Sequence, residues 1–234
     1  MATRSDSVIQ PDHIIIWCDR NMGKKENNKD SKAVLEEHGD VQRPPSPEYC
    51  DEIDRFISHI SPYLNDRRFE LLIKSPLRMF TDENECLKCI NDSIEAKKHV
   101  FLITSGQTGA ILVPQMHTLL SGRIYIFCAQ RTVHEQWAQP YEKDIEIYDD
   151  DKGVFARVLA DIGAYYMTKA GKTDDSVVAI QYCHWAQRLY ISATKIDNNN
   201  RKGHLDYIRS MLKDFNAPPS TEYDNDIQMG QDAN

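Results

Sequence analysis

The sequence predicts an α/β domain built on a five-stranded parallel sheet in the order 2-1-3-4-5, with helices on both faces and a C-terminal helical hairpin. Three observations predict it. Short, nearly continuous apolar runs such as "HIIIWCD", "HVFLI" and "RIYIFCA" read as strands buried on both sides. They alternate with amphipathic stretches of helical length, the grammar of a parallel sheet covered by its own crossovers. After Gly171 that alternation stops, and two amphipathic segments follow with no strand between them. Right-handed crossovers then favour the 2-1-3-4-5 order.

Taken in order, residues 1–12 are polar and read as a flexible N-terminus, and the α/β domain occupies 13–171. "HIIIWCD" (13–19) is the first strand. The charged, Asn- and Pro-rich stretch that follows reads as a loop insert at 22–48, with a helical turn at "SKAVLEEH". A helix is expected from about Cys50 to Leu64, because Ile53, Phe56, Ile57, Ile60 and Leu64 recur at helical spacing. In "ELLIKSPLRMF" the strand is the "LRMF" end, since Pro76 rules out an uninterrupted central strand. Thr81 is the expected cap of the helix "DENECLKCINDSIEAKK". "HVFLI" is the third strand, "GAILVPQMHTLL" the third helix and "RIYIFCA" the fourth strand. A short helix "VHEQWAQPY" is broken by Pro140, "DIEIY" is the fifth strand, and a long helix from Gly153 ends at Gly171. The acids of "YDDDK" suit the start of that helix better than a cation site, because the EF-hand spacing is missing.

The hairpin is placed at 172–216 and a disordered tail at 217–234. Its first helix carries Val178, Tyr182, Trp185, Leu189, Ala193 and Ile196 on one stripe, and its second Leu205, Ile208, Leu212 and Phe215. Such stripes are expected to pack on their own domain rather than on a partner.

Composition narrows the function. A chain of 234 residues with net charge −8 lacks the positive footprint of a nucleic-acid binder. No apolar run reaches membrane-spanning length, and "MATRSDSVIQPDH" lacks the apolar core of a signal peptide, so a cytoplasmic protein is expected. Of the six cysteines, Cys18, Cys128 and Cys183 lie in apolar segments and read as small hydrophobes. Cys86 and Cys89 form a "CLKC" pair inside a helix, away from the strand-to-helix turn of a redox motif and without the second ligand pair of a zinc site. They read as a half-buried helical face.

In an open parallel sheet of this flavodoxin-like kind, ligands bind outside the C-terminal strand ends, where the strand order reverses. That places Asp19, Arg20 and Asn21 across a crevice from Thr104, Ser105, Gly106, Gln107 and Thr108, with Cys128, Gln130 and Arg131 one strand further on. These residues suit a small anionic ligand. "SGQTG" is too short for a P-loop and lacks its lysine, and the dinucleotide glycine fingerprint is absent. The simpler expectation is a tight turn at Gly106 with Thr108 capping the third helix. A serine nucleophile at Ser105 would need glycines at the positions held by Ile103 and Gln107. Cys128 stands where caspase-like proteases place their cysteine, but the neighbouring strand end carries no histidine to activate it. His117 reads as a satisfied core or interface histidine, and His134 as solvated.

The bacterial receiver domain is similar in layout. "IIIWCD", "LRMFTDENECLKCI" and "HVFLITSG" match its first three strands, but Thr104 or Ser105 stands where an aspartate accepts the phosphoryl group. The acid pair is reduced to Asp19, which cannot hold Mg²⁺ and a phosphoryl group by itself. Residues 13–160, and above all "SGQTGAILVPQMHTLL" with "IYIFC", also resemble an uncharacterised receiver-like α/β module of invertebrate proteins. Asp19, Ser105, Gly106, Gly109, Val113, Pro114, His117, Leu119, Tyr125, Cys128 and Trp137 occupy the matching places. That module usually precedes tetratricopeptide-like repeats or a mono-ADP-ribosyltransferase module, which implies a regulatory or scaffolding role. This chain has a longer insert, no ADP-ribosyltransferase constellation and only one repeat-like helical pair, too few for a solenoid.

The sequence thus leads to a non-enzymatic protein-interaction or regulatory module with a protein partner and no cofactor or metal. The alternatives are a nucleotide or small-anion sensor at the strand ends and, below it, a cysteine or serine hydrolase.

Overall fold

The computed structural model describes residues 11–21 and 77–217. The predicted insert at 22–48, the helix at about 50–64, the N-terminal residues 1–10 and the tail from 218 lie outside the described residues. Five strands, β1 (His13–Cys18), β2 (Leu77–Phe80), β3 (His99–Ser105), β4 (Ile124–Phe127) and β5 (Ile145–Tyr148), form one sheet in the order β2-β1-β3-β4-β5. All four pairings are parallel. This is the flavodoxin-like arrangement the sequence predicts.

Strand alternation divides the side chains between two cores. Ile14, Ile16, Val100, Leu102 and Ile126 face one way, toward α1 (Glu83–Glu95), α2 (Gly106–Met116) and α3 (Arg131–Ala138), where they meet Cys86, Ile90, Leu112, Val113 and Met116. Ile15, Trp17, Phe101, Ile103 and Tyr125 face the other way, toward α4 (Asp151–Ala170). Behind α4 lie α5 (Ser176–Asp197) and α6 (Lys202–Asp214), so the predicted hairpin packs on its own domain and completes this second core. Trp185 of α5 is wholly buried and sits edge-on to Tyr166 of α4 at 4.9 Å between ring centroids. Between these two helices, a Cβ on Gly163 would meet the Tyr190 ring at 3.2 Å, so glycine eases the approach.

The helix starts follow local chemistry. Asp82, one residue after the predicted Thr81, caps α1: its carboxylate accepts the N–H groups of Asn84 and Glu85, both at 2.9 Å. A carboxylate also suits the positive end of the helix dipole. Asp150 caps α4 through Gly153 N (2.6 Å), and Asp175 caps α5 through Val177 N (2.9 Å), as the acids in those stretches suggest.

Candidate functional site

The C-terminal ends of β1 and β3 lie side by side, with Cys18 paired to Thr104, so the residues that follow them share one edge. β1 runs on into Asp19, whose N–H donates to the Phe80 carbonyl at 2.9 Å. The Asp19 carboxylate then accepts the Asn21 N–H, also at 2.9 Å, and folds Asp19–Asn21 into a tight turn. The Arg20 N–H reaches across to Thr108 Oγ1 at 3.4 Å, which links the β1 edge to the β3 edge.

On the β3 side the structure corrects the expected turn. α2 begins at Gly106, directly after β3, with Ser105 as its N-cap residue, and Thr108 is a buried residue inside the helix rather than its cap. The Ser105 hydroxyl donates to Thr108 Oγ1 at 3.1 Å instead of capping the helix. Thr104 is fully buried, its hydroxyl turned to the Ser105 carbonyl and its methyl facing Gly109, so it is out of a ligand's reach. Gln107 is exposed.

The solvated reading of His134 holds only in part, because the side chain is half-buried. A Cβ on Gly106 would come within 2.4 Å of the His134 imidazole, so the ring lies directly against the first residue of α2. His134 is held there by Trp137, whose indole N–H donates to Nδ1 at 3.1 Å. That bond makes Nδ1 the acceptor and leaves the proton of the neutral ring on Nε2. Gly106 is needed for this close approach and not for a turn. A glycine opening one helix, with histidine and tryptophan three residues apart on the next, was the available signal. Their meeting depends on how α2 and α3 pack, which spacing alone does not reveal.

The cations beside the crevice are engaged as well. Arg20 is paired with Glu83 of α1, whose side chain is 12% exposed, and Arg131 with Glu135 one turn on, at 2.9 Å. Cys128, one strand over, is half-buried, and its N–H donates to the Tyr148 carbonyl at 2.9 Å. Burial, and then the nearby Asp149 carboxylate, push its thiol above the ordinary range, the reverse of what a nucleophile requires. His117 bonds to Asp144 at 3.0 Å, in keeping with a satisfied interface residue.

The clefts of about 510, 450 and 380 Å³ lie elsewhere. The first lies at the start of α4 and the α5–α6 junction, the second along the outer side of β2 and α1, and the third between β3, β4 and α4. Among the described residues no group of three or more His, Cys, Asp or Glu side chains is arranged to hold a metal ion, and no helix is long and apolar enough to cross a membrane. No protein-family model matches this chain, and no curated protein or solved structure does so either.

Proposed function

We propose that this chain is a non-enzymatic protein-interaction or regulatory module on a degenerate receiver-like scaffold. The observation that supports it is the self-engaged state of the strand-end crevice. Ser105 bonds Thr108, Arg20 pairs with Glu83, and His134 covers Gly106. A catalytic constellation pairs a nucleophile with a base and the base with an orienting group; none of these three engagements does so, since Ser105 donates to a second hydroxyl, Arg20 meets a carboxylate and His134 lies against a glycine. The position of a phosphoryl acceptor is held by Thr104 and Ser105, and neither is a carboxylate. The resemblance to a module that accompanies repeats or transferase domains supports the same regulatory reading.

One observation favours a small-anion sensor as the second reading. α2 begins at the crevice with no side-chain cap hydrogen bond, and an uncapped helix N-terminus favours an anion. A thermal-shift series with phosphate, nucleotides, ADP-ribose and NAD, run beside Ser105→Asp, separates the two readings. A ligand at about 100 times its dissociation constant adds roughly 2.7 kcal/mol of stability. The interaction module predicts no shift with any of them. A shift in the native chain that Ser105→Asp abolishes would replace that reading with the sensor.

A further inference from the structure

Three of the six cysteines converge beneath the end of β1. Cys18 is the last residue of β1 and Cys86 lies early in α1; both are fully buried. The Cys18 thiol points at the Asp82 carbonyl, 4.0 Å away, which leaves its sulfur free to accept the thiol of Cys86. Cys89, one turn along α1, packs on the same cluster but is partly exposed. It lines the groove of about 450 Å³ together with Arg78, Phe80 and Lys88. The "CLKC" pair, which lacks the position of a redox motif and the second ligand pair of a zinc site, lies in one cluster with Cys18, brought to it by the sheet.

We propose that Cys89, Cys86 and Cys18 form a thiol relay in which a peroxide arriving through the groove ends as a Cys18–Cys86 disulfide that ties the end of β1 to α1. Cys89 reacts first because it alone of the three is partly exposed. Its thiolate attacks the peroxide O–O bond, giving a sulfenic acid and one water or alcohol. Cys86 then attacks the Cys89 sulfur; the S–O bond breaks, and the departing hydroxide takes the Cys86 proton and leaves as water. Residues three apart in a helix have Cα atoms roughly 5 Å apart, within the range that a disulfide spans. Finally Cys18 attacks Cys86, its proton passes to the departing Cys89 sulfur, and Cys89 is regenerated as a thiol. In sum two thiols are oxidised and one peroxide is reduced.

Burial and the bond to Cys18 push the Cys86 thiol well above the ordinary range, so Cys86 stays protonated and unreactive until Cys89 presents a sulfenic acid beside it. The staple acts on the crevice because β1 continues into Asp19–Asn21, and Arg20 is already paired with Glu83 of α1. The inference is independent of the interaction reading.

The test treats the full chain with hydrogen peroxide, blocks remaining thiols by alkylation, and maps the unreduced digest by mass spectrometry. The expected product is a Cys18–Cys86 linked peptide, with a rise in Tm that dithiothreitol reverses. Cys89→Ser, at a partly exposed helical position, slows its appearance at least tenfold, and Cys18→Ala halts the relay at Cys86–Cys89. The native digest decides the matter even where the buried variant fails to fold. Three results overturn the relay: Cys89 oxidised to sulfinic acid with Cys18 and Cys86 still free, a disulfide drawn instead from Cys50, Cys128 or Cys183, or an unchanged rate in Cys89→Ser.

Discussion

The two faces of the sheet are built from different chemistry. Among the described residues, those fully buried between the sheet and α1–α3 are aliphatic or sulfur-bearing, and the rings of Phe80, Trp137 and Tyr141 pack against them only partly buried. Between the sheet and α4–α6 lie Trp17, Phe101, Tyr125, Phe155, Tyr166, Tyr182, Trp185 and Tyr190, all buried. Large rings bring polar tips inside with them: Tyr125 donates to Asp161 at 2.8 Å and the Tyr166 hydroxyl lies 2.6 Å from His13 Nδ1, whereas the buried indole nitrogens of Trp17 and Trp185 meet no acceptor among the described residues. On the aliphatic side the Trp137 indole is tied to His134 at its margin, and this side carries the thiol cluster and the crevice at its edge. One face is thus filled by large rings and the other by aliphatic side chains and thiols.

The comparison breaks first at Trp185. Trp185→Ala removes the largest fully buried side chain and is expected to cost about 3–5 kcal/mol in urea unfolding, with Leu112→Ala on the aliphatic face at the lower end of about 2–5 kcal/mol. Equal losses would mean that the aromatic face has no special weight.

Acid tests the same face. Burial holds His13 at about 3, well below its ordinary 6.5, opposed in part by Asp12 and assisted by His99 and Lys98. The unfolded chain then binds a proton that the native chain refuses between about pH 6.5 and 3. Stability is therefore complete above that window and falls with pH through it, by up to about 1.4 kcal/mol per pH unit. Unfolding midpoints measured from pH 7 to pH 4 for the native chain and His13→Phe check this, the variant showing the shallower slope.

Tyr166→Phe removes the bond to His13 and should cost about 1–3 kcal/mol, read by the same unfolding experiment. Gly106→Ala, on the aliphatic side, displaces His134 and is expected to cost only about 1 kcal/mol, because the obstructing atoms belong to a movable side chain. Its signature is spectroscopic: the Trp137 indole N–H resonance shifts as the bond to His134 is lost. Smallest of all, Arg131→Ala breaks an exposed ion pair and is expected to change stability by less than about 0.5 kcal/mol.

The strand order and the helices were legible because continuous apolar runs and helical stripes need no knowledge of partners. The cap of α1 was read to within a residue, Asp82 in place of Thr81, since both residue types can cap. The opening of α2 was misread because Gly106 was assigned to a turn, its usual use, when it makes room for a ring from another helix. Reading the crevice from strand order brought Arg20 and Thr108 to the same edge, but not the pairings with Glu83 and His134. Those join residues dozens of positions apart, and no local periodicity encodes them. Cys18 and Cys86 were hidden for the same reason.

The aromatic core joins Ile15 of β1 to Ile208 of α6, whereas the aliphatic core is complete once Ile145 has been made. During synthesis the two cannot close together. At about 5–20 residues per second, the ribosome takes several seconds more to deliver α5 and α6 after β5 has emerged. Through that interval the nascent chain presents Trp17, Phe101 and Tyr125 without their final cover, the period in which chaperone capture or a translational pause has the most to act on.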